Sequence, residues 1–387
     1  MEIRTITCHD VYNHGAALQA LALVTYLNNI GHNAQIIHYK PDYLNSYYNV
    51  WKVTNSRYNK PLLREFFLLA KLPHRLYELY YKVIRFAPYN QFRKNFLPLT
   101  KEYNSHRELL DNPPKADAYI AGSDQIWNTQ MRNGKDGAFY LDFAPQESIK
   151  IAYAASFAVE QIEEKYRAFV SEKLKGLDYI SLREKSSLPL LASLGREGVG
   201  VCDPVFLLSR EEWEQWLAQN AKKEGFNPSG YKRDKTEGIG KYLLIYDTEG
   251  SKKVEDTAVS IARKLNLKIV SVSSYRHRCA DIRLWRPSPY DFVKLIAEAE
   301  YVVSNSFHAS AFAIIFNRNF CVVKRSEKIN SRMKSLTDDY KIGNRLVDGF
   351  FDELLLPIDY APINEAMQKE IAFSKEFLNR ALSNSSL

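Results

Sequence analysis

Polar and small residues follow several predicted strands of this chain at the point where each strand ends. Apolar, β-branched runs at 118–121, 149–155, 179–182 and 199–202 predict four such strands. The residues that come directly after them include Ser123 and Asp124, Ser156, Arg183, and Asp203. Because the carboxyl ends of strands line the ligand crevice of an open α/β sheet, we predict that these side chains line one crevice. Hydroxyl, carboxylate and guanidinium groups gathered there would bind a sugar or a small anion.

Two predicted helices begin where a bound anion would meet unpaired backbone N–H groups. Asn13 and Gly15 open the first helix of the chain, and His308 lies at the start of a helix that follows an apolar strand at 301–304. The positive end of a helix dipole lowers the pKa of a histidine, whereas a bound phosphate raises it, so His308 could donate a proton as a general acid. The alternative is that Asn13 and His308 only cap their own helices.

The motifs of several other chemistries are missing from the sequence. There is no Walker A loop, HExxH, DxD or GxSxG elbow, and the glycines at 195–200 precede a predicted strand, unlike a dinucleotide fingerprint. The histidines do not cluster at metal-ligand spacing. This leaves anion binding by charge, without a metal or a cofactor. Four scattered cysteines without a CxxC pair indicate a reducing cytosol, and no apolar run approaches the ~18–20 residues of a membrane span.

The elements that would position these residues form two α/β series. The 387-residue chain alternates short β-branched runs with longer helical patterns, which is typical of parallel sheets. We predict a Rossmann-like N-terminal domain at 1–217 with an insertion at about 45–100, followed by a polar, Gly- and Lys-rich linker at 218–241. A second Rossmann-like domain at 242–360 and a final helix at 361–387, packing back on the first domain, complete the chain. This arrangement resembles the GT-B architecture, in which two such domains face a central cleft.

Four short stretches, taken in order, carry a resemblance to a known family. They are Tyr12-Asn13-His14-Gly15 with Leu18-Gln19-Ala20, then 121–128 (AGSDQIWN), then 180–186 (ISLREKS) with 202–208 (CDPVFLL), and last 301–316 (YVVSNSFHASAFAIIF). From about residue 5 to about residue 350, the chain resembles the polysaccharide pyruvyl transferase family. The resemblance implies transfer of the enolpyruvyl group of phosphoenolpyruvate to two hydroxyls of a sugar, which gives a pyruvate ketal and phosphate. It also implies a GT-B-like fold and a glycan acceptor, commonly on a polyprenyl carrier.

The same resemblance assigns roles to individual residues. The donor-binding arginine of the family's SxR[DE] stretch corresponds to Arg183, and the histidine at the strand-to-helix turn of its second domain corresponds to His308. Several members carry another arginine two residues before that histidine, where this chain has Ser306. We expect Ser306 to contact substrate and a nearby cation to replace the missing guanidinium, with Arg332 as the first candidate and Arg325 as the next.

The implied reaction needs a carboxylate that deprotonates the attacking sugar hydroxyl. We predict Asp124 as this base and Asp203 as the second choice. The alternatives are a helix cap for Asp124 and a turn for Asp203. A planar guanidinium suits the phosphate and carboxylate of phosphoenolpyruvate, which supports Arg183 as a donor contact. An ion pair with Glu184 or Glu160 would also explain that arginine.

The positive charge of the chain is concentrated in the segment 51–100. The chain carries a net charge of +8 from 53 basic and 45 acidic residues. The segment holds ten basic and two acidic residues, so its net charge is 10 − 2 = +8 and the rest of the chain is neutral. It is also rich in aromatic residues, and basic aromatic helices are typical of contact with a membrane surface. The alternative is an insertion packed on its domain; no motif indicates nucleic acid.

These observations predict a cytoplasmic, membrane-adjacent ketal pyruvyltransferase that uses phosphoenolpyruvate in capsule, exopolysaccharide or cell-wall glycan assembly. One alternative is a GT-B glycosyltransferase with a nucleotide-sugar donor, which would place an acidic ribose clamp after a late strand. Lys324 and Arg325 follow that strand instead, with Glu327 just beyond. A second alternative is a non-catalytic glycan-binding protein, which would keep its glycan affinity without Arg183 and His308.

Overall fold

In a computed structural model, the chain forms two all-parallel β-sheets, each accompanied by helices. The structure describes residues 1–45, 65, 72–221, 240–273, 275–284, 287–325 and 331–383. Most of the predicted linker and the first part of the basic segment therefore lie outside the described residues.

Seven parallel strands form the first sheet, in the order β3-β2-β1-β4-β5-β6-β7. Their bounds are β1 Glu2–Ile6, β2 Asn33–Tyr39, β3 Leu99–Tyr103, β4 Ala118–Ala121, β5 Ile149–Ala155, β6 Tyr179–Leu182 and β7 Val199–Gly200. The central strand β4 is buried along its whole length, as expected for a parallel sheet covered on both faces.

The helices of this first half connect and cover the strands. They are α1 His14–Asn29, α2 Asp42–Asn45, α3 Leu72–Phe96, α4 His106–Asp111, α5 Glu164–Lys175, α6 Leu188–Ser193 and α7 Arg210–Asn220. Single 3₁₀ turns occur at Asn133–Lys135, Gly137–Tyr140, Lys185–Ser187 and Pro204–Leu207. Helix α3 belongs to the predicted basic insertion.

Six parallel strands form the second sheet, in the order β10-β9-β8-β11-β12-β13. Their bounds are β8 Tyr242–Tyr246, β9 Lys268–Ser271, β10 Ile282–Arg283, β11 Tyr301–Ser304, β12 Asn319–Val323 and β13 Leu346–Val347. The helical elements of this half are α8 Lys252–Leu265, α9 Pro289–Glu298, α10 Phe307–Ile315, α11 Ser331–Asp339 and the 3₁₀ turns Gly343–Arg345 and Asp352–Leu355. The last helix is α12, Ala361–Ser383. Among the helices of the described ranges, none combines the length and the apolar character that a bilayer crossing requires.

Helices α1 and α12 are among the elements that contact both halves. Helix α1 is buried almost all round because it lies between the first sheet and α9, where the rings of His14 and Phe292 stack with centroids 4.9 Å apart. Helix α12 returns to the first half, where the Cys202 N–H donates to Ser374 Oγ at 3.0 Å. The two halves therefore share one continuous apolar core.

The strand registers bring the residues that follow neighbouring strands to one edge of each sheet. Ile6 pairs with Ala121 at the ends of β1 and β4, and Ser304 pairs with Tyr246 at the ends of β11 and β8. Two parallel sheets with their ligand edges at a shared interface are the arrangement of a GT-B-like fold. The predicted α/β, GT-B-like fold class is confirmed.

Candidate functional site

Arg183 and His308 come from opposite halves of the molecule and meet at one carboxylate. Arg183 follows β6, and its Nη1 donates to Asp203 Oδ2 at 2.9 Å. His308 is the second residue of α10, and its Nε2 lies 3.6 Å from the same oxygen. The guanidinium of Arg183 also lies over the ring of Phe307, 4.7 Å from the centroid. The candidate site is therefore a cluster between the halves, centred on Asp203.

The guanidinium of Arg183 is held on two sides and open on the third. Its Nε donates to Glu184 Oε1 at 3.1 Å, so the ion pair that the sequence left as an alternative is present, in a buried position. Its Nη2 is buried without a hydrogen bond and lies 3.6 Å from Asp124 Oδ1. Burial lowers the pKa of Arg183, but the surrounding carboxylates outweigh burial and raise it above its ordinary value. The Nη2 of Arg183 is therefore the nitrogen that could donate a hydrogen bond to a ligand.

Asp203 is surrounded by donors and is therefore a weak base. Its Oδ2 accepts from Arg183 and lies 3.2 Å from Ser123 Oγ, and its Oδ1 accepts from the Val205 N–H at 3.1 Å. Burial raises the pKa of Asp203, but His308 and Arg183 hold that pKa well below its usual range. Such a carboxylate accepts a proton poorly. The geometry favours a positioning role for Asp203, together with the turn that the sequence left as its alternative.

The imidazole of His308 packs against the start of α1 from the other half. A Cβ on Gly15 would lie 2.0 Å from His308 Nδ1, so only glycine leaves room for this ring. Nε2 of His308 is buried without a hydrogen bond. Ser306 is the N-cap residue of α10 but makes no side-chain capping bond, so the start of that helix remains open to an anion. Gly15 thus positions the histidine, and Ser306 leaves backbone N–H groups available.

Asp124 is the carboxylate of the cluster that a substrate would reach most easily. Its side chain is 18% exposed, compared with 4% for Glu184 and 0% for Asp203. The backbone of Asp124 forms a β-bridge with Ala155 and has a φ of +73°, so this residue is not a helix cap. Partial exposure beside the open Nη2 of Arg183 is what a general base for a sugar hydroxyl needs.

Two serines that the sequence predicts to line the crevice are fully buried instead. Ser123 is fully buried; its Oγ donates to the Ala154 carbonyl at 2.9 Å and its N–H donates to Gln19 Oε1 at 3.1 Å. Ser156 is also fully buried, and its Oγ donates to Glu184 Oε1 at 3.0 Å. A strand end fixes the edge of the sheet but not the face toward which a side chain points. Both serines support the carboxylates rather than line the cleft.

The other predicted binding residues are Asn13, Arg325 and Arg332. Asn13 is exposed and caps α1, because its Oδ1 accepts from the Ala16 N–H at 3.2 Å. Arg325 donates from Nε to Glu249 Oε1 at 2.7 Å within the second half. The side chain of Arg332 lies outside the described part of the structure, although its backbone belongs to α11. The role of either arginine in replacing the family guanidinium stays a prediction.

A hollow beside Arg183 separates the first half from α11 and α12. It is lined by Arg183, Glu184, Val201, Cys202, Asp203, Phe206, Phe307, Ser335, Leu336, Asp339, Tyr340 and Glu370. Lys185 connects two of these lining residues, since its Nζ lies 3.1 Å from Asp339 Oδ1 and 2.9 Å from Glu370 Oε1. Ion pairs thus join the halves next to the candidate site.

Sequence reasoning missed the contacts that link the site to α3. His14 is buried, with its Nδ1 3.1 Å from Tyr246 Oη and its Nε2 3.2 Å from the Pro287 carbonyl. Tyr89 of α3 places its Oη 2.9 Å from His14 Nε2. Burial lowers the pKa of His14 to about 4, although the bond to Pro287 opposes the shift. The only sequence signal was the motif around His14, because its partners come from distant parts of the chain.

A second polar cluster, at the end of β8, is closed by its own carboxylate. Asp247 accepts hydrogen bonds from the N–H groups of Glu249 at 2.8 Å, Gly250 at 3.1 Å and Ser251 at 2.6 Å. The side-chain amide of Asn305 donates to it at 2.7 Å. The backbone donors of the turn before α8 are therefore occupied by Asp247. In the residues that the structure describes, no three His, Cys, Asp or Glu side chains are grouped to hold a metal ion.

The fold and the cluster together define a GT-B-like protein with an arginine–histidine site between its two halves. Residues 13–327 match the profile of the family described as polysaccharide pyruvyl transferase. The match extends over most of the chain and includes every residue from Gly15 to His308. The chain belongs to this family.

Solved structures with a similar fold have low sequence identity to this chain. They include an S. aureus MnaA–UDP co-structure (12% identity, TM-score 0.47, covering 100% of this chain and 91% of that one). A UDP-GlcNAc 2-epimerase from Neisseria meningitidis bound to UDP-GlcNAc has 12% identity and a TM-score of 0.44, covering 97% and 100%. E. coli heptosyltransferase WaaC with ADP has 13% identity and a TM-score of 0.39, covering 96% and 100%. No curated protein matches the chain in sequence.

Proposed function

We propose that this protein transfers the enolpyruvyl group of phosphoenolpyruvate to two hydroxyls of one glycan sugar, with formation of a pyruvate ketal and release of phosphate. Membership in the pyruvyl transferase family supports the reaction class. The observation that carries the proposal is a pair of buried nitrogens without a hydrogen bond, Arg183 Nη2 and His308 Nε2, on either side of Asp203. Buried polar atoms without a hydrogen bond are costly, and an anion bound between the halves would supply one to each.

The proposed reaction balances without a cofactor. The methylene carbon of phosphoenolpyruvate gains a proton and becomes a methyl group, and the adjacent carbon becomes cation-like. One sugar hydroxyl attacks that carbon, phosphate leaves with the electrons of its C–O bond, and the second hydroxyl forms the other ketal bond. Of the two hydroxyl protons released, one balances the proton taken up by the methyl group and the other leaves with phosphate. His308 serves as the general acid and Asp124 as the base.

The charge balance of the cluster gives the start of α10 a role in donor binding. Arg183 lies within ion-pair distance of three carboxylates, those of Asp124, Glu184 and Asp203. Their excess negative charge would repel a doubly anionic donor. The start of α10, which has no side-chain cap, supplies positive potential that opposes this repulsion.

We further propose that the acceptor is a glycan on a polyprenyl carrier and that the reaction belongs to capsule, exopolysaccharide or cell-wall glycan assembly at the cytoplasmic face of the membrane. The family description supports a polysaccharide acceptor. The positive charge of the segment 51–100 supports a location near anionic lipid.

A nucleotide-sugar donor has less support from the geometry. Nucleotide phosphates commonly bind at helix starts that follow the strands of a Rossmann-like sheet. In the turn before α8, the N–H groups of Glu249, Gly250 and Ser251 are bonded to Asp247 and are not available to a phosphate. Arg325 forms an ion pair with Glu249 in the same region.

Thermal unfolding with candidate donors tests the proposal. Phosphoenolpyruvate should raise the melting temperature of the full chain, whereas UDP-GlcNAc should leave it unchanged, because a ligand stabilises only the state that binds it. Release of inorganic phosphate from phosphoenolpyruvate should then require an added glycan. Stabilisation by UDP-GlcNAc alone would favour a glycosyltransferase. Glycan binding without phosphate release from any acceptor of a panel would favour the non-catalytic alternative.

A further inference from the structure

The first turns of α3 expose large apolar side chains, although the same helix is firmly packed further along. Leu76, Tyr77, Tyr80 and Val83 are exposed at 50%, 65%, 66% and 60%. Near the end of the helix, Phe92 is fully buried. Single exposed apolar residues are common on protein surfaces, but four within two turns of one helix form a continuous patch. This patch, named here the α3 stripe, requires an explanation.

Helical geometry shows that the α3 stripe faces away from the protein. At about 100° per residue, Leu76, Tyr80 and Val83 fall on one face, and Tyr77 lies at its margin. The residues that anchor the helix, Phe92 and Phe96 among them, fall on the opposite face. At the same angle per residue, the sequence position of Arg85 lies opposite the stripe, and those of Arg75 and Lys82 lie on one flank. An apolar face flanked and backed by basic positions is the pattern of a helix that lies in a membrane interface.

Charge distinguishes between the possible occupants of the α3 stripe. The helix belongs to the segment 51–100, whose net charge is +8 while the rest of the chain is neutral. A second copy of the chain would bring two such segments together, and their repulsion opposes that contact. An anionic lipid surface instead provides an apolar layer for the side chains of the stripe and negatively charged headgroups for the basic segment. Charge complementarity therefore selects the lipid surface.

The same helix leads from the α3 stripe to the candidate site. The ring of Phe86 stacks on Tyr12 with centroids 3.9 Å apart, and Tyr89 contacts His14. His14 immediately precedes Gly15, which packs against His308. At 1.5 Å per residue, Tyr80 and Tyr89 are about 14 Å apart along the helix. A membrane in contact with the stripe would lie close to the opening of the cleft.

We propose that Leu76, Tyr77, Tyr80 and Val83 form a docking surface for an anionic phospholipid membrane. Their side chains insert at the boundary between headgroups and acyl chains, and the net positive charge of the segment 51–100 adds attraction to the anionic headgroups. Docking brings the cleft to acceptors that are carried in the membrane. That consequence rests on the proposed function, whereas binding to lipid does not depend on it.

Vesicle sedimentation with the full chain tests this surface. The wild-type protein should sediment with vesicles of phosphatidylcholine and phosphatidylglycerol, weakly with phosphatidylcholine alone, and less at high salt. The triple variant Leu76→Ser, Tyr80→Ser, Val83→Ser should lose about tenfold or more of its partition into anionic vesicles. A matched variant, Leu356→Ser with Phe373→Ser, removes exposed apolar residues elsewhere and should bind as the wild type does.

Two further measurements separate the possible outcomes. The triple variant should keep the wild-type melting temperature and its shift by phosphoenolpyruvate, since the substituted side chains are exposed and outside the cluster. Wild-type binding by the triple variant, or no binding by the wild type, would overturn the proposal without touching the proposed function. A wild-type dimer that the triple variant dissociates, measured by light scattering, would assign the stripe to self-association instead.

Discussion

Two histidine–aspartate pairs in this molecule have the same spacing and different surroundings. His308 Nε2 lies 3.6 Å from Asp203 Oδ2, and His277 Nε2 lies 3.6 Å from Asp247 Oδ2. All four side chains are buried, and neither Nε2 has a hydrogen bond. Asp247 takes its other partners from the second half alone, whereas Asp203 joins Arg183 of the first half to the histidine of the second.

The difference lies in what remains available for a ligand. Around Asp247, the backbone donors that precede α8 are already bonded to the carboxylate. Neither α8 nor α10 has a side-chain cap at its start, but next to Asp203 the Nη2 of Arg183 is buried without a hydrogen bond. A buried histidine next to an aspartate is therefore not sufficient evidence of a site. The open Arg183 nitrogen and the position between two halves make the His308 cluster the stronger candidate site.

The largest expected effect is a difference in turnover between substitutions of His308 and of His277. His308→Gln should lower phosphate release from phosphoenolpyruvate with a glycan acceptor by about 10²–10⁴-fold, because the general acid is lost. His277→Gln, in the closed cluster, should retain turnover close to that of the wild type. Similar losses in both variants would mean that the comparison does not identify the site.

The pH dependence of stability tests the surroundings of Asp203. The pKa of Asp203 is held well below its usual range, so this carboxylate stays ionised near neutral pH. A carboxylate whose pKa is lowered by folding stabilises the folded state above its ordinary pKa, so the free energy of unfolding measured in urea should fall as the pH drops below about 4, and Asp203→Asn should weaken that dependence.

A smaller effect on turnover is expected at the contact between Gly15 and the ring of His308. Gly15→Ala places a methyl group where the ring of His308 lies and should reduce turnover by about 10²-fold through misplacement of the imidazole. The matched variant is Gly349→Ala, since an added Cβ there meets no atom within 4 Å. Circular dichroism and the melting temperature would show whether the fold persists. Unchanged turnover in Gly15→Ala would refute the positioning role of this glycine.

The smallest expected effect is a loss of stability on substitution of Asp247. Asp247→Ala leaves the N–H groups before α8 without their acceptor and should lower the free energy of unfolding by about 1–3 kcal/mol. Urea denaturation measures this change. The shift of the melting temperature by phosphoenolpyruvate should survive the substitution. Its disappearance would place Asp247 in the donor site.

The fold was predictable from the sequence because both sheets are parallel and buried. Their strands are short apolar runs, and the residues after Leu182 and Ser304 are polar at the edge where the halves face each other. Alternation of strands and helices then required no information about distant contacts. The sequence and the family resemblance could therefore bring Arg183 and His308 to one interface.

Residue roles within the site were less predictable, because they depend on packing between distant segments. Ser123 and Asp124 are neighbours at one strand end, yet one is buried and the other partly exposed. Gly15 was assigned to a helix start, and its contact with His308 requires both halves in place. The hydrogen bonds that Asp247 accepts come from the following turn and from the distant Asn305, and no spacing pattern in the sequence links Asn305 to Asp247.

The return of α12 to the first half restricts how the molecule can open. The chain passes from one half to the other between Ala221 and Gly240, and it passes back when α12 reaches Cys202. Two covalent crossings define an axis, and rotation about that axis is the motion that stretches neither of them. A swing of one lobe about this axis would part Arg183 from His308, and it would also have to open the apolar core that the two halves share.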